Sequence, residues 1–431
     1  MGIKIKYETI YKNPGEKRAD WRSHRYTDAT GLRREETRNL QSQDDTADYY
    51  EHRISDDNGK TWGEWVKEKE TSKEIIGNCE LEESCYSRTR GIYNPVHNHF
   101  VTITYQRAYP GGYEKSIHHC WDNGLFDPTH VFVEVSNKND ILGKQMVKYE
   151  EGPEYNPETF TKNDYFKTNL GICCSVIVLK CGDIMFDMCI PINRICQMAG
   201  LDIKKIFPSV PGNGHAPGLM ICRGVWNEKE KKYDFSFSEP LILDDRQSSR
   251  GIAEPIIAEL PNGNILTVVR ASNVIYEQWK CRISPYAPGY KFYSISNDKG
   301  KTFSPLMPWH FDSREPVFSP ATYSDFIKSS KTGKLYWIGN ITEPSETFGN
   351  FPRFPLCIVQ VDEEWGVLKK NTLTVIDTRK EGESKMMQLS NFSVFENRET
   401  LNYELYLAKL GQFDNRNVYD CETCKYEIIF E

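Results

Sequence analysis

Two histidines and a cluster of acids are the first residues in this chain whose types and spacing could do chemistry. His97 and His99 follow Tyr93-Asn94-Pro95 at positions i and i+2, so an extended strand would put both on one face. An imidazole there can act as acid, base or ligand. His118, His119 and His215 add to the supply. Asp44, Asp45 and Asp48 crowd one polar stretch, and a carboxylate pair is the usual equipment for general acid and base work. Cys421-Glu422-Thr423-Cys424 is a lone C-x-x-C. A zinc site needs a second ligand pair at suitable spacing, so no metal and no cofactor is expected.

Such groups need a scaffold, and an octapeptide that occurs twice reveals it. Ser55-Asp56-Asp57-Asn58-Gly59-Lys60-Thr61-Trp62 and Ser296-Asn297-Asp298-Lys299-Gly300-Lys301-Thr302-Phe303 both read S-x-D-x-G-x-T-(W/F). This is turn chemistry. Ser and Asp side chains bond nearby backbone N–H groups, Gly takes a positive φ, and the aromatic anchors the turn. Each copy follows a short alternating run, which indicates a repeated hairpin unit. Strand-like runs recur elsewhere: Phe100 to Tyr105, His130 to Val135, Cys174 to Leu179, Ile256 to Leu260, Ile265 to Arg270, Lys334 to Ile338 and Leu356 to Val361. Compact turns such as Pro261-Asn262-Gly263-Asn264 join several of them.

Helical periodicity is scarce and no linker is visible. Six units of roughly 70 residues suit four-stranded propeller blades with long loops. The stretches Asp20 to Asp48, Gly143 to Lys167, Met198 to Gly218 and Glu343 to Phe351 are read as those loops, and loops on a rigid scaffold often carry the site. The run Ile3 to Ile10 is expected to pair with Lys425 to Phe430 and hide two sheet edges. The expectation is an all-β chain, a single six-bladed propeller domain over residues 1–431.

Composition narrows the partners. Hydrophobic residues make up 39% of the 431 and charged residues 27%, which supports a large core rather than disorder. A net charge of −7 argues against nucleic acid as partner, so an anionic ligand would need a local arginine cluster. The N-terminus has no apolar signal-peptide region and no run is long enough to span a membrane. The odd count of 13 cysteines is read as reduced thiols in a cytoplasmic protein.

The octapeptides resemble the Asp-box repeats of the sialidase (neuraminidase) superfamily. That resemblance implies a six-bladed β-propeller with its active site on the central axis and the Asp boxes at outer turns. A second stretch is more specific. Glu254-Pro255-Ile256-Ile257-Ala258-Glu259-Leu260 through Gly263 to Arg270 resembles a family segment whose first Glu assists the nucleophile and whose Arg binds the substrate carboxylate. The resemblance therefore makes Glu254 catalytic and Arg270 substrate-binding. Pro352-Arg353-Phe354-Pro355 is similar to the segment that completes the arginine cluster, which implicates Arg353. Arginine suits the role because its planar fork binds a carboxylate at two points.

The chain also departs from the family. It lacks the N-terminal Arg-Ile-Pro, for which Arg22 and Arg25 are the substitutes. The segment Gln388 to Val394, which corresponds to that of the family's tyrosine nucleophile, holds Asn391 but no tyrosine. Tyr323-Ser324-Asp325 has the family's Tyr-Ser look one blade earlier. Asp45 falls where the resemblance expects the acid/base loop. Catalysis is thus expected from Glu254, Tyr323, Asp45 and His97, and substrate binding from Arg270, Arg353, Arg25, Asn391 and His215.

The activity so implied is an exo-acting glycoside hydrolase on an acidic sugar or oligosaccharide. The alternatives are a lyase using a His/Tyr pair and a glycan-binding propeller that does not catalyse. The expected partner is an anionic carbohydrate, without nucleic acid or membrane.

Overall fold

The computed structural model describes all residues except 1, 13–14, 44–46, 68–73, 77–78, 111–127, 138–139, 209–215, 276–280 and 415. Asp45, His118, His119 and His215 lie outside the described residues. The rest is mostly antiparallel strand in six sheets, and the fold class is a six-bladed β-propeller. The chain falls into two compact units. One comprises Met1–Glu70, Pro288–Lys291 and Pro308–Glu431; the other comprises Thr71–Ala287 and Phe292–Met307.

In the first unit, strand Ile3–Tyr11 pairs with Thr423–Phe430, with Ile3 opposite Phe430 and Tyr7 opposite Tyr426. The N-terminal strand thus covers the edge of the C-terminal one, as the sequence predicts. Tyr403–Ala408 and Phe392–Glu396 complete that sheet. A second sheet runs Asp325–Lys328, Leu335–Asn340, Leu356–Asp362 and Val367–Leu368. Ile338, Leu356, Ile358, Leu405 and Ile428 form the core between these sheets.

The third sheet of this unit corrects the sequence reading. Asp20 to Asp48, read as a loop for its polarity, contains strands Ala19–Tyr26 and Arg34–Gln41, which pair with Tyr49–Ser55. The charges are matched across the strands. Glu36 lies opposite Arg53 and Arg38 opposite Glu51, and both pairs are in contact. Arg38 and Arg53 also lie 4.3 and 4.4 Å from the Trp65 ring. Opposed charges and cation–π contacts do here what alternating apolar residues do elsewhere.

The second unit holds a six-stranded sheet from Glu74–Ile76 to Ile141–Met146, the sheet Val176–Val178, Ile184–Pro191, Pro217–Asn227 and Lys232–Phe237, and the pair Ala253–Glu259 and Ile265–Arg270. Its core includes Val131, Val133, Phe186, Ile190, Met220 and Cys222. Strand Ile141–Met146 extends into the expected loop 143–167. Short helices Ile192–Met198 and Ile203–Ile206 border and enter the expected loop 198–218. Among the described residues no helix is long and apolar enough to cross a membrane.

The two octapeptides form the same turn. Asn58 and Gly59 have φ of 63° and 83°; Lys299 and Gly300 have 63° and 84°. Ser55 Oγ accepts from Gly59 N at 2.7 Å and Ser296 Oγ from Gly300 N at 2.8 Å. Asp57 accepts from Thr61 N and Asp298 from Thr302 N, at 2.8 and 2.9 Å. These bonds hold the Asp57 carboxyl down at about 2, through the Thr61 hydroxyl and N–H and the Ser55 hydroxyl, and lower that of Asp298 as well. Asp298→Ala removes the acceptor of one turn. The expected result is a Tm lower by a few degrees with turnover per folded molecule unchanged, checked by thermal melting beside an activity assay.

Two buried histidines set an acid limit on the fold. His99 bonds Tyr233 Oη at 2.7 Å, and His130 Nε2 lies 2.7 Å from the Tyr165 carbonyl. Burial pushes both down to about 4 from 6.5. The folded state therefore prefers the neutral rings. Their contribution is present above pH 6.5 and is lost as pH falls toward 4, by up to about 3 kcal/mol each. Asp187, raised by burial to about 6, has the opposite sign and offsets one of them. Melting curves should show Tm falling between pH 6.5 and 4, and His99→Gln should flatten that fall.

Candidate active site

Glu254 is the second residue of strand Ala253–Glu259, and Pro255 follows it. Proline has no N–H to give a ladder, so the pairing is interrupted there. Ala253 lies opposite Arg270, but the next pair is Ile256 with Val268, which leaves a bulge. Within it Glu254 takes φ of +41°, a left-handed backbone that costs a non-glycine residue about 1–2 kcal/mol. The bulge turns the side chain toward the end of the neighbouring strand. Arg270 Nη1 lies 2.8 Å from Glu254 Oε2, and that oxygen is buried although the two side chains as a whole are 17% and 30% exposed.

More of the second unit gathers at this carboxylate. Its charge reaches the Tyr86 hydroxyl and the Cys174 and Cys189 thiols, which are held above their usual ranges by burial first and by neighbouring negative groups second. Tyr86 precedes the single turn Ser87–Thr89, and its ring lies 5.6 Å from that of Tyr105. Asp187 supports this end from below. It is fully buried and accepts from Cys174 N at 3.0 Å and from Ser175 Oγ at 3.1 Å, which fixes the chain entering Val176–Val178. The Arg88 charge opposes the burial that raises its carboxyl. Among the described residues no group of three His, Cys, Asp or Glu could hold a metal ion.

Other candidates in this unit sit elsewhere. His97 occupies the turn after Ile92–Asn94, at the end of that strand opposite Tyr86. Its ring stacks on His99 at 5.8 Å, and its Nε2 crowds Gly182, where an added Cβ would come within 2.8 Å. His99 and Tyr233 form a His/Tyr pair, but both are buried, at 2% and 1% exposure. Glu259 lies at the far end of the strand from Glu254 and accepts from Lys180 N at 2.8 Å.

The first unit brings three candidates to one end of its strands. Tyr323 donates to Asp325 Oδ2 at 2.9 Å, and its ring meets Phe392 edge-on at 4.9 Å. Arg353 donates from Nε to Asn350 O at 3.1 Å and from Nη1 to Ser390 Oγ at 3.2 Å. Ser390 in turn donates to the Asn391 side chain at 3.1 Å. Arg25 is at the other end of its strand, bound to Glu35 on the paired strand. Arg22 is committed to Asp20 at 2.8 Å and Glu36 at 3.1 Å.

Sequence reasoning paired Glu254 with Arg270 but missed Tyr86, Arg88 and Asp187. A signal for the first was present, since Tyr86-Ser87 carries the same dipeptide that drew notice to Tyr323.

Comparison with known proteins agrees on the fold. No family model and no curated protein matches the chain. A protein of unknown function from Dyadobacter fermentans is similar at TM-score 0.56 and 11% identity, covering 100% of both chains. Trypanosoma rangeli sialidase is similar at 0.52 and 11%, over 98% of this chain and 59% of its own. An α-L-arabinanase from Penicillium chrysogenum, complexed with arabinobiose, reaches 0.47 and 12%, over 98% and 97%.

The strain at Glu254 is testable by itself. Glu254→Gly relieves the left-handed backbone while deleting the carboxylate. Its unfolding free energy should stay within about 1 kcal/mol of wild type, measured by urea denaturation, while any activity is lost.

Proposed function

We propose that this chain is a glycoside hydrolase of sialidase-like type that acts on an anionic sugar, with Glu254 as the base. The observation that carries this reading is the strained bulge at Glu254-Pro255, which sets a half-buried carboxylate against Arg270. Strained backbone persists where the surroundings over-determine it, and functional sites are where it clusters. Glu254 takes a proton from the attacking water as the water oxygen bonds to the anomeric carbon. The glycosidic C–O bond breaks, its electrons leave with the departing oxygen, and that oxygen takes up a proton from solvent water. Arg270 holds the carboxylate in place and meets negative charge on the sugar.

The S-x-D-x-G-x-T turns and the matching Glu254-to-Arg270 segment support the sialidase-like class. The lyase alternative draws no support from His99 and Tyr233, because neither ring is open to a sugar.

Glu254→Gln keeps shape and removes basicity. On an aryl glycoside of an acidic sugar its kcat should fall by about 10²–10⁴-fold with modest change in KM. Glu259→Gln, which only loosens the turn at Lys180, should keep kcat. Equal activity of both variants would refute the assignment. A product absorbing in the near ultraviolet as a 4,5-unsaturated uronate would instead show elimination.

A further inference from the structure

The second octapeptide turn borders a cleft of about 560 Å³ that the Glu254 chemistry does not use. All of it belongs to the second unit. One wall is the end of strand Lys232–Phe237 with Ser238 and Glu239, and the other is the turn from Asp298 to Thr302. The strand is the last of its sheet, paired with Pro217–Asn227. Ser238 N donates to Ile221 O at 2.9 Å, so by alternation the Phe237 N–H, one residue back, points away from the partner strand. Glu239 N lies on that same outward side and donates to Lys301 O at 2.9 Å. The outward edge therefore faces the turn, and the Phe237 N–H is aimed into the cleft between them.

The charge at this cleft is lopsided. Lys299 and Lys301 are both exposed, and among the described residues neither ammonium has an ion-pair partner. The first turn is different. There Asn58 stands where Lys299 does, and Lys60, in the place of Lys301, is tied to Glu399 at 2.8 Å. Asp298 is committed to its own turn, where it accepts from Ser296 Oγ at 2.8 Å and from Thr302 Oγ1 at 2.7 Å. Arg223 is matched by Asp183, Nε to Oδ2 at 2.8 Å. Two ammonium groups thus oppose the remaining carboxylate of the lining, Glu239, on a chain whose net charge is −7. A sheet-edge N–H beside two ammonium groups is a donor set for a tetrahedral oxyanion, and the cleft is large enough to take an organic group attached to it.

We propose that this cleft binds the phosphate or sulfate group of a small monoester, held between the Phe237 N–H and the ammonium groups of Lys299 and Lys301. The inference goes beyond the reading of Glu254 and does not depend on it.

The test is calorimetric titration of the full chain at low salt with inorganic phosphate, inorganic sulfate, glucose 6-phosphate, glucose 6-sulfate and, as the neutral control, glucose. The oxyanions should bind and glucose should not. A Lys299→Asn/Lys301→Ala double variant should bind them about tenfold more weakly or worse, with Tm unchanged. Asparagine suits the first position because Asn58 holds the same φ of 63° in the other turn. Lys301→Arg, which keeps the charge, should keep the affinity. Tighter binding of glucose 6-phosphate than of glucose 6-sulfate would assign the site to phosphate esters, and the reverse order to sulfated sugars. Unchanged affinity in the double variant, glucose binding as tightly as its esters, or no binding of any probe would each overturn the proposal.

Discussion

A missing N–H shapes the candidate site. Pro255 cannot donate to the ladder, so the strand bulges and Glu254 is forced into left-handed backbone beside Arg270. Everything else in that region answers this constraint. The rest of the strand, Ile256 to Ala258, is buried and holds the register beyond the bulge. Asp187 steadies the neighbouring chain at Cys174 and Ser175. A local cost of about 1–2 kcal/mol at one residue is small against a core of this size, and it yields a half-buried carboxylate directed at Arg270.

Charge has a different task in the first unit. Arg22, Arg25, Arg38 and Arg53 are spent on Asp20, Glu35, Glu36 and Glu51 within one sheet, with Trp65 beneath. Those arginines are structural ties. Arg353 bonds the Asn350 carbonyl and the Ser390 hydroxyl, which orient its guanidinium.

The hairpins were legible in the sequence because their turn residues are local signals. Asn-Gly turns, alternating runs and the two octapeptides each specify a few bonds between near neighbours. Asp20 to Asp48 misled because its alternation is of charge, and the partners that make it a sheet lie on other strands. Glu254 and Arg270 were legible as a pair since one hairpin joins them. Asp187 was not, because its partners Cys174 and Ser175 lie on the chain entering a neighbouring strand and are brought to it only by the fold. His97 had suitable chemistry, but it sits in the turn after Ile92–Asn94 with its ring stacked on His99.

The account turns on whether the Glu254 carboxylate itself takes a proton during turnover. Chemical rescue measures this directly: Glu254→Ala is assayed on an aryl glycoside of an acidic sugar with increasing formate. The account predicts a nearly inactive variant whose turnover rises with formate concentration, while Glu259→Ala turns over at the wild-type rate and ignores formate. A Glu254→Ala enzyme as fast as wild type without formate would contradict it.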